Sequence, residues 1–446
     1  MRFVDRFGIW LIMLAGAVLR LWNLGYPHKL VFDETYYVKD AWTLSAAGHE
    51  LAWPSNPDEA FEAGQVNGFQ DMPSYVVHPP LGKWLIAIGM RVFGAQNSFG
   101  WRISVALFGI ALIFLLYVVA SRVFTSKRWG LFVASLLAVD GEAIVMSRTG
   151  LLDTFLAFFA LLAFYFLLRD LEDQTLSIRR RPWLIAMGLS LGAASAVKWS
   201  GLYFLVAFAL FVVGRYVLRN RSLASGAKKV VWTFIQTVPP AIAVYLVSWT
   251  GWFTTGGYNF DAKNPLLAFW NYHREMYSFH VNLHSAHPYQ ANPFTWLFMI
   301  RPTSFFYESC GTGCSTGITA IGNPLIWWLG TIAVITLFFT WLSSRDRTIG
   351  LVLLGIAGGY LPWLFYSERT VFEFYVIAFE PWVLMAIGLL LKRAVQQSDR
   401  KTLIRRLCIG YLVATAALAV YFLPIWLGTP VPTDYWMGHI WLPSWL

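Results

Sequence analysis

Long apolar runs, broken by short polar or basic stretches, dominate the chain. Runs near the length of a bilayer span fall at about 8–24, 99–120, 129–147, 151–168, 183–199, 201–218, 230–250, 324–342, 349–366, 374–391 and 406–427. Each predicts a helix that needs roughly 20 mainly apolar residues to cross a membrane. The expected fold class is an all-α polytopic membrane protein with about eleven transmembrane helices. Arg20 and Trp22 stand where a cleavable leader would have small residues, so the first run is expected to remain as a signal anchor.

The polar gaps alternate in character. Arg2 and Arg6, Arg122 to Arg128, Arg169 to Arg181, Arg215 to Lys229, Arg345 and Arg347, and Lys392 to Arg406 fall at alternate ends and hold most of the 34 basic residues. The positive-inside rule places these gaps and the N-terminus in the cytoplasm, and the C-terminus outside. The net charge of +10 is then a topology signal and a contact for membrane lipids, not a nucleic-acid surface. Asp33, Glu34, Asp71, Asp153, Glu275, Glu308, Glu368 and Glu373 fall on or near the other side. So do two long loops, 25–98 and 251–323, and a tail, 428–446. The reading is one membrane domain, 1–446, carrying these external segments. In the first loop, Pro79-Pro80 followed by an apolar run predicts a short interfacial helix. Trp436, Trp441 and Trp445 predict that the tail rests in the interface.

Composition agrees: 57% of the residues are hydrophobic and 13% are charged, against about 25% charged in soluble proteins. Cys310 and Cys314 share a polar loop and are expected to pair if it faces an oxidising compartment. No internal repeat is visible, which disfavours a secondary transporter.

Candidate chemistry gathers at the outer helix ends. Asp33-Glu34 follows the first run, where a charge must reach water, a partner or a substrate. His78, Lys83, Arg102, Arg148, Lys198 and Arg369 are cations or potential cations there, with Asp153 near them. Each alone reads as a side chain snorkelling to the interface. Several on one face beside an acidic pair describe a site for a phosphate-bearing ligand next to a carboxylate base. His273, His280, His284 and His287, near Glu275, are too irregularly spaced for a metal set, and their Tyr- and His-rich loop reads as a peptide- or sugar-contacting surface.

In order along the chain, Phe32-Asp33-Glu34, His78-Pro79-Pro80-Leu81-Gly82-Lys83, Arg148 to Asp153, Lys198-Trp199-Ser200-Gly201-Leu202, His287-Pro288-Tyr289 and Phe372-Glu373-Phe374-Tyr375 resemble the protein O-mannosyltransferases. These are polytopic enzymes of the GT-C glycosyltransferase class. The resemblance implies a polyprenyl-phosphate-mannose donor, a Ser or Thr acceptor in a secreted polypeptide, inversion at the sugar, and no required cofactor or metal. It also implies a bacterial plasma-membrane location, with the translocation machinery as a further partner. The loop after the seventh run is too short for the β-trefoil insert of eukaryotic members, so the chain resembles the shorter actinobacterial type.

On this reading Asp33 is the catalytic base, and Glu34 places it or the acceptor. Arg102, Lys83, His78 and Arg369, in that order, are expected to steady the leaving phosphate, with Arg148, Asp153 and Lys198 in the same donor site. His280, His287 and Tyr289 are assigned to the acceptor. Two alternatives stay open: a GT-C enzyme with a lipid or glycan acceptor, and a membrane transporter.

Overall fold

The computed structural model describes residues 3–173, 177, 179–219 and 223–446. Arg2 and Arg221, counted above among the cytoplasmic cations, lie outside the described residues. Every run predicted to span the membrane coincides with a helix or with two short helices in series, and the breaks have local causes.

Helix α1 (Phe3–Leu21) leads into a loop with three short helices, α2 (Glu34–Ala47), α3 (Asp58–Glu62) and α4 (Leu81–Phe93). Pro80 stands at the N-cap of α4, as the Pro-Pro pair predicted. Helix α5 (Ser98–Val123) starts where Asn97 accepts a hydrogen bond from the Phe99 N–H at 3.0 Å. The run at 129–147 divides into α6 (Lys127–Val139) and α7 (Gly141–Met146) because Asp140 lies within it. Its buried carboxylate caps α7 through Glu142 N and Ala143 N, and accepts from Asn323 N at 2.8 Å and Trp327 Nε1 at 3.3 Å. Those bonds tie α7 to the start of a helix far along the chain.

Helix α8 (Asp153–Glu172) is followed by α9 (Pro182–Val197) and α10 (Gly201–Arg219), which are separated only by Lys198-Trp199-Ser200. Helix α11 (Leu223–Ser248) packs closely on α9 through Gly188 and Gly192, one turn apart. A Cβ on either would come within 2.3 to 2.4 Å of the Thr237 or Ala241 carbonyl oxygen, so small residues set the approach.

The second long loop holds α12 (Thr250–Thr255), α13 (Pro265–Asn282) and two antiparallel strands, β1 (Ser304–Gly311) and β2 (Cys314–Thr319). Cys310 and Cys314 are joined by a disulfide where these strands turn. The bundle resumes with α14 (Pro324–Ser344), α15 (Arg347–Gly359), a 3-10 turn at Leu361–Tyr366, a second at Glu373–Ala378, α16 (Glu380–Gln397) and α17 (Lys401–Leu427). Strand β3 (Val431–Pro432) then adds to β2, and α18 (Thr433–Met437) follows.

Among the described residues, six helical segments are long and apolar enough to cross a membrane: Ser98–Val123, Asp153–Glu172, Gly226–Ser248, Pro324–Ser344, Arg347–Tyr366 and Lys401–Leu427. The protein is a multi-pass membrane protein. Its small sheet was not foreseen. The tail departs from expectation too: Trp436 and Trp445 are buried, with Trp445 Nε1 donating to Met299 O at 2.7 Å, and only Trp441 is well exposed. The protein, not the interface, takes up two of the three rings.

Candidate active site

The fold brings the end of α1, the start of α2, the start of α8, the α9–α10 break and the segment before α16 to one end of the bundle. Asp33 precedes α2 in helical backbone, yet its carboxylate makes no capping bond. It is half-buried, accepts a hydrogen bond from Tyr37 one turn on, and feels both Lys198 and Asp153. Burial is the main reason its pKa is pushed up to about 6; Lys198 pulls the other way. Phe32, just before it, has a left-handed backbone (φ +49°), unusual for an aromatic residue. Its ring is held by His287, Phe305, Phe372 and Phe374 at 5.0 to 5.7 Å between centroids. That packing fixes where the next side chain points.

Glu34 is fully buried and accepts four hydrogen bonds. Two come from Arg102, Nε at 2.8 Å and Nη2 at 2.7 Å; the others come from Gly150 N at 2.6 Å and Val31 N at 3.0 Å. No lone pair remains for an acceptor substrate. The bidentate pair instead ties α2 to α5.

Three of the expected phosphate ligands are engaged elsewhere, and a fourth, His78, carries no charge. Arg102 directs all five N–H groups to protein: two to Glu34, and three to the carbonyls of Leu24, Pro27 and Lys29. Arg148 donates to Leu19, Arg20, Trp22 and Asn23 carbonyls, closing the end of α1. Lys83 is buried in an ion pair with Glu50, with Asp40 at 3.8 Å. His78 is held neutral, because burial first, and then Lys198, His280, Lys83 and Arg369, push its pKa well down. Sequence placed these residues at the right end of the molecule, but it does not show that backbone carbonyls and acids reach Arg102, Arg148 and Lys83 first.

Lys198 and Arg369 remain. Lys198 Nζ lies 2.9 and 3.0 Å from the two oxygens of Asp153 and 4.4 Å from the centre of the Tyr375 ring. Arg369 Nη2 donates to His280 Nδ1 at 3.0 Å. His280 Nε2 must carry that ring's proton, since it bonds the Val77 carbonyl at 2.7 Å. His280 is neutral, its pKa lowered to about 4 chiefly by burial. Both cations line one cavity of about 280 Å³, with His78, His280, Tyr203 and Tyr375. Within it Arg369 Nε and His78 Nδ1 are buried with no partner among the described residues. Two orphaned polar nitrogens beside a lysine mark a place for a polar group of a ligand.

His287 stands against Phe32 and Phe372. Its Nδ1 accepts from Tyr289 N at 3.1 Å, and the Tyr289 ring carries Arg301 at 5.1 Å. His273 bonds Tyr245 and Phe269, and His284 bonds Glu368 O, so the histidines of this loop turn to separate partners. Among the described residues no three His, Cys, Asp or Glu come together as a metal set. Sequence reasoning missed Tyr37 and Tyr375; the i, i+4 spacing of Asp33 and Tyr37 was the available signal for the first.

Two family models cover most of the chain. One, dolichyl-phosphate-mannose-protein mannosyltransferase, matches residues 77–249; the other, the C-terminal four-transmembrane region of protein O-mannosyltransferase, matches residues 265–445. A polyprenol-phosphate-mannose–protein mannosyltransferase of Mycolicibacterium smegmatis is 30% identical over 98% of this chain and 92% of its own length. Among solved structures, the Saccharomyces cerevisiae Pmt1–Pmt2 complex bound to the sugar donor superposes with a TM-score of 0.79 at 17% identity, covering 100% of this chain and 93% of that one. ArnT from Cupriavidus metallidurans gives a TM-score of 0.56 at 18% identity, covering 94% and 76%. The fold is that of GT-C membrane glycosyltransferases, and the chain belongs to the polyprenol-phosphate-mannose–protein mannosyltransferase family.

Proposed function

We propose that the chain transfers mannose from polyprenyl-phosphate-mannose to Ser or Thr hydroxyls of secreted polypeptides, with inversion at the sugar. One observation carries the site assignment: a half-buried carboxylate, Asp33, stands beside a cavity holding two cations and two unpartnered nitrogens. Asp33 takes the hydroxyl proton as that oxygen attacks the anomeric carbon from the face opposite the phosphate. The bond from that carbon to the phosphate oxygen breaks, and polyprenyl phosphate leaves with the extra negative charge. Lys198 and Arg369 hold that phosphate, and no general acid is needed. Asp153 orients Lys198. The tail leaves the cavity through an adjoining apolar pocket between α10 and α15, which shares Tyr203 and Tyr366 with it. His287, which stands against Phe32, and Tyr289 next to it face the acceptor, while His280 belongs to the donor side. The test is transfer of radiolabelled mannose from the polyprenyl donor to a Ser/Thr-rich peptide by purified protein. Transfer to a lipid or glycan but not to peptide would replace the acceptor.

Arg369→Ala is expected to weaken donor affinity by about 10- to 100-fold, the range for a hydrogen bond to a charged group. Arg369→Lys should recover only part of it, because an ammonium cannot bridge two phosphate oxygens as a guanidinium does. Unchanged donor KM in both variants would leave Lys198 as the phosphate ligand.

The basic helix ends lie opposite this site along the bundle, so we place the site on the outer face of a bacterial plasma membrane, where secreted polypeptides emerge from translocation. Reporters fused after Leu446 and inserted within Arg179–Arg181 should report opposite sides. Finding both on one side would overturn the orientation.

A further inference from the structure

Helices α10, α14 and α15 enclose a second cavity, of about 830 Å³, at the end of the bundle away from Asp33. Its walls are apolar, with Phe211 from α10, Phe338 and Phe339 from α14, and Leu353 from α15. Ile335, Phe338 and Phe339 are exposed at its mouth, an apolar surface suited to acyl chains. One end is different: Arg215, Arg345 and Arg347 all line it, and no acid is among its lining residues. Arg215 feels Asp170 from outside the groove, and the acid between the other two arginines in sequence is turned elsewhere. Asp346, between two of these arginines, caps α15 through Thr348 N and Ile349 N and accepts from Arg393. Arg345 sits 4.7 Å over the Trp341 ring, which aligns its guanidinium at the mouth.

We propose that this groove binds an anionic phospholipid. Its acyl chains lie between α10, α14 and α15, and its phosphate is held by Arg345 and Arg347, with Arg215 behind them. The charge selects the occupant. The cavity adjoins the pocket assigned above to the donor tail, sharing Ala357 and Leu361 with it. A polyprenyl tail is hydrocarbon and gains nothing from three arginines at its far end. A zwitterionic lipid brings an ammonium that the arginines repel. An anionic headgroup between helices at a basic membrane face meets both conditions. This inference rests on the membrane fold and on the groove, not on the transfer reaction.

The test is native mass spectrometry of the purified full chain in micelles with equimolar phosphatidylglycerol and phosphatidylcholine of identical acyl chains. The wild type should retain phosphatidylglycerol preferentially. Arg345→Gln/Arg347→Gln should lower that preference by about fivefold for each arginine removed, the factor for one basic residue near an anionic lipid surface. Leu353→Trp narrows the groove and leaves the arginines, and should lower retention of both lipids. If the double variant does not fold, Arg347→Gln alone makes the comparison, since a cation in the first turn of α15 opposes the helix dipole and its loss does not destabilise it. Equal retention of the two lipids by the wild type overturns the proposal, as does an undiminished preference in the arginine variants. Mole-for-mole displacement of phosphatidylglycerol by added polyprenyl-phosphate-mannose would assign the groove to the donor tail and overturn it too.

Discussion

Asp33→Asn is expected to lower mannose transfer by about 100- to 10,000-fold, the range for loss of a general base. The substitution keeps size and shape, and the amide can still accept from Tyr37, so fold and donor binding should persist. What it removes is basicity. In the wild type, burial raises the Asp33 pKa to about 6. A base works only when ionised, so transfer should fall as pH drops through about 6 and hold above it. The acid limb of kcat/KM should vanish in Asp33→Asn, whose residual rate no longer depends on that group. Asp33→Glu keeps a carboxylate but lengthens the arm at a position fixed by the Phe32 packing, and should recover only part of the loss. The measurement is transfer to peptide at saturating donor across pH 4.5 to 8. A near-normal rate in Asp33→Asn, with the limb unchanged, would move the base elsewhere.

The sequence made the scaffold legible because its signals are local. Apolar runs and alternating basic gaps report on a single helix at a time, and each predicted run has its helical counterpart. Pro80 marks a helix start that the structure uses. The small sheet was missed because its hairpin sits in a polar loop and β3 is only two residues long. At the site, residue type and membrane depth pointed to the right end of the bundle. They did not reveal partners, which come from far along the chain. Arg102 and Arg148 look alike from sequence, as lone arginines near helix ends. Only the path of residues 19–29 beside them shows that carbonyl oxygens occupy both. Lys83 is engaged by Glu50, an acid that no motif singled out. Lys198 and Arg369 keep access to a cavity because each has an acid or a neutral imidazole on one side and open space on the other.

That reassignment reverses what Arg102 and Glu34 substitutions should do. Arg102→Ala would leave the Glu34 carboxylate buried without its counter-ion, and three carbonyls without their donor. Breaking a buried pair on one side costs about 3–5 kcal/mol, a large share of the roughly 5–15 kcal/mol that holds a typical domain folded. Glu34→Ala has the mirror consequence, a buried guanidinium that keeps its three carbonyls but loses its counter-ion. Both variants should be recovered in low yield and melt far below the wild type in detergent. Arg102→Lys should fall short as well, because three rotating N–H donors cannot replace five in a planar fork. Glu34→Gln keeps the shape and one acceptor oxygen, but turns an NH2 group toward the guanidinium, and should be milder than Glu34→Ala. A paired replacement, Glu34→Gln with Arg102→Met, removes the charge imbalance but not the unsatisfied carbonyls, so it should recover part of the stability. The decisive readout sets melting temperature against donor KM in the variants that fold. A phosphate ligand would raise KM and leave melting untouched; a tie between α2 and α5 lowers melting and leaves donor KM in the surviving fraction near the wild-type value. Wild-type melting with a raised KM in Arg102→Lys would return Arg102 to the donor site and displace Arg369 from the role given to it here.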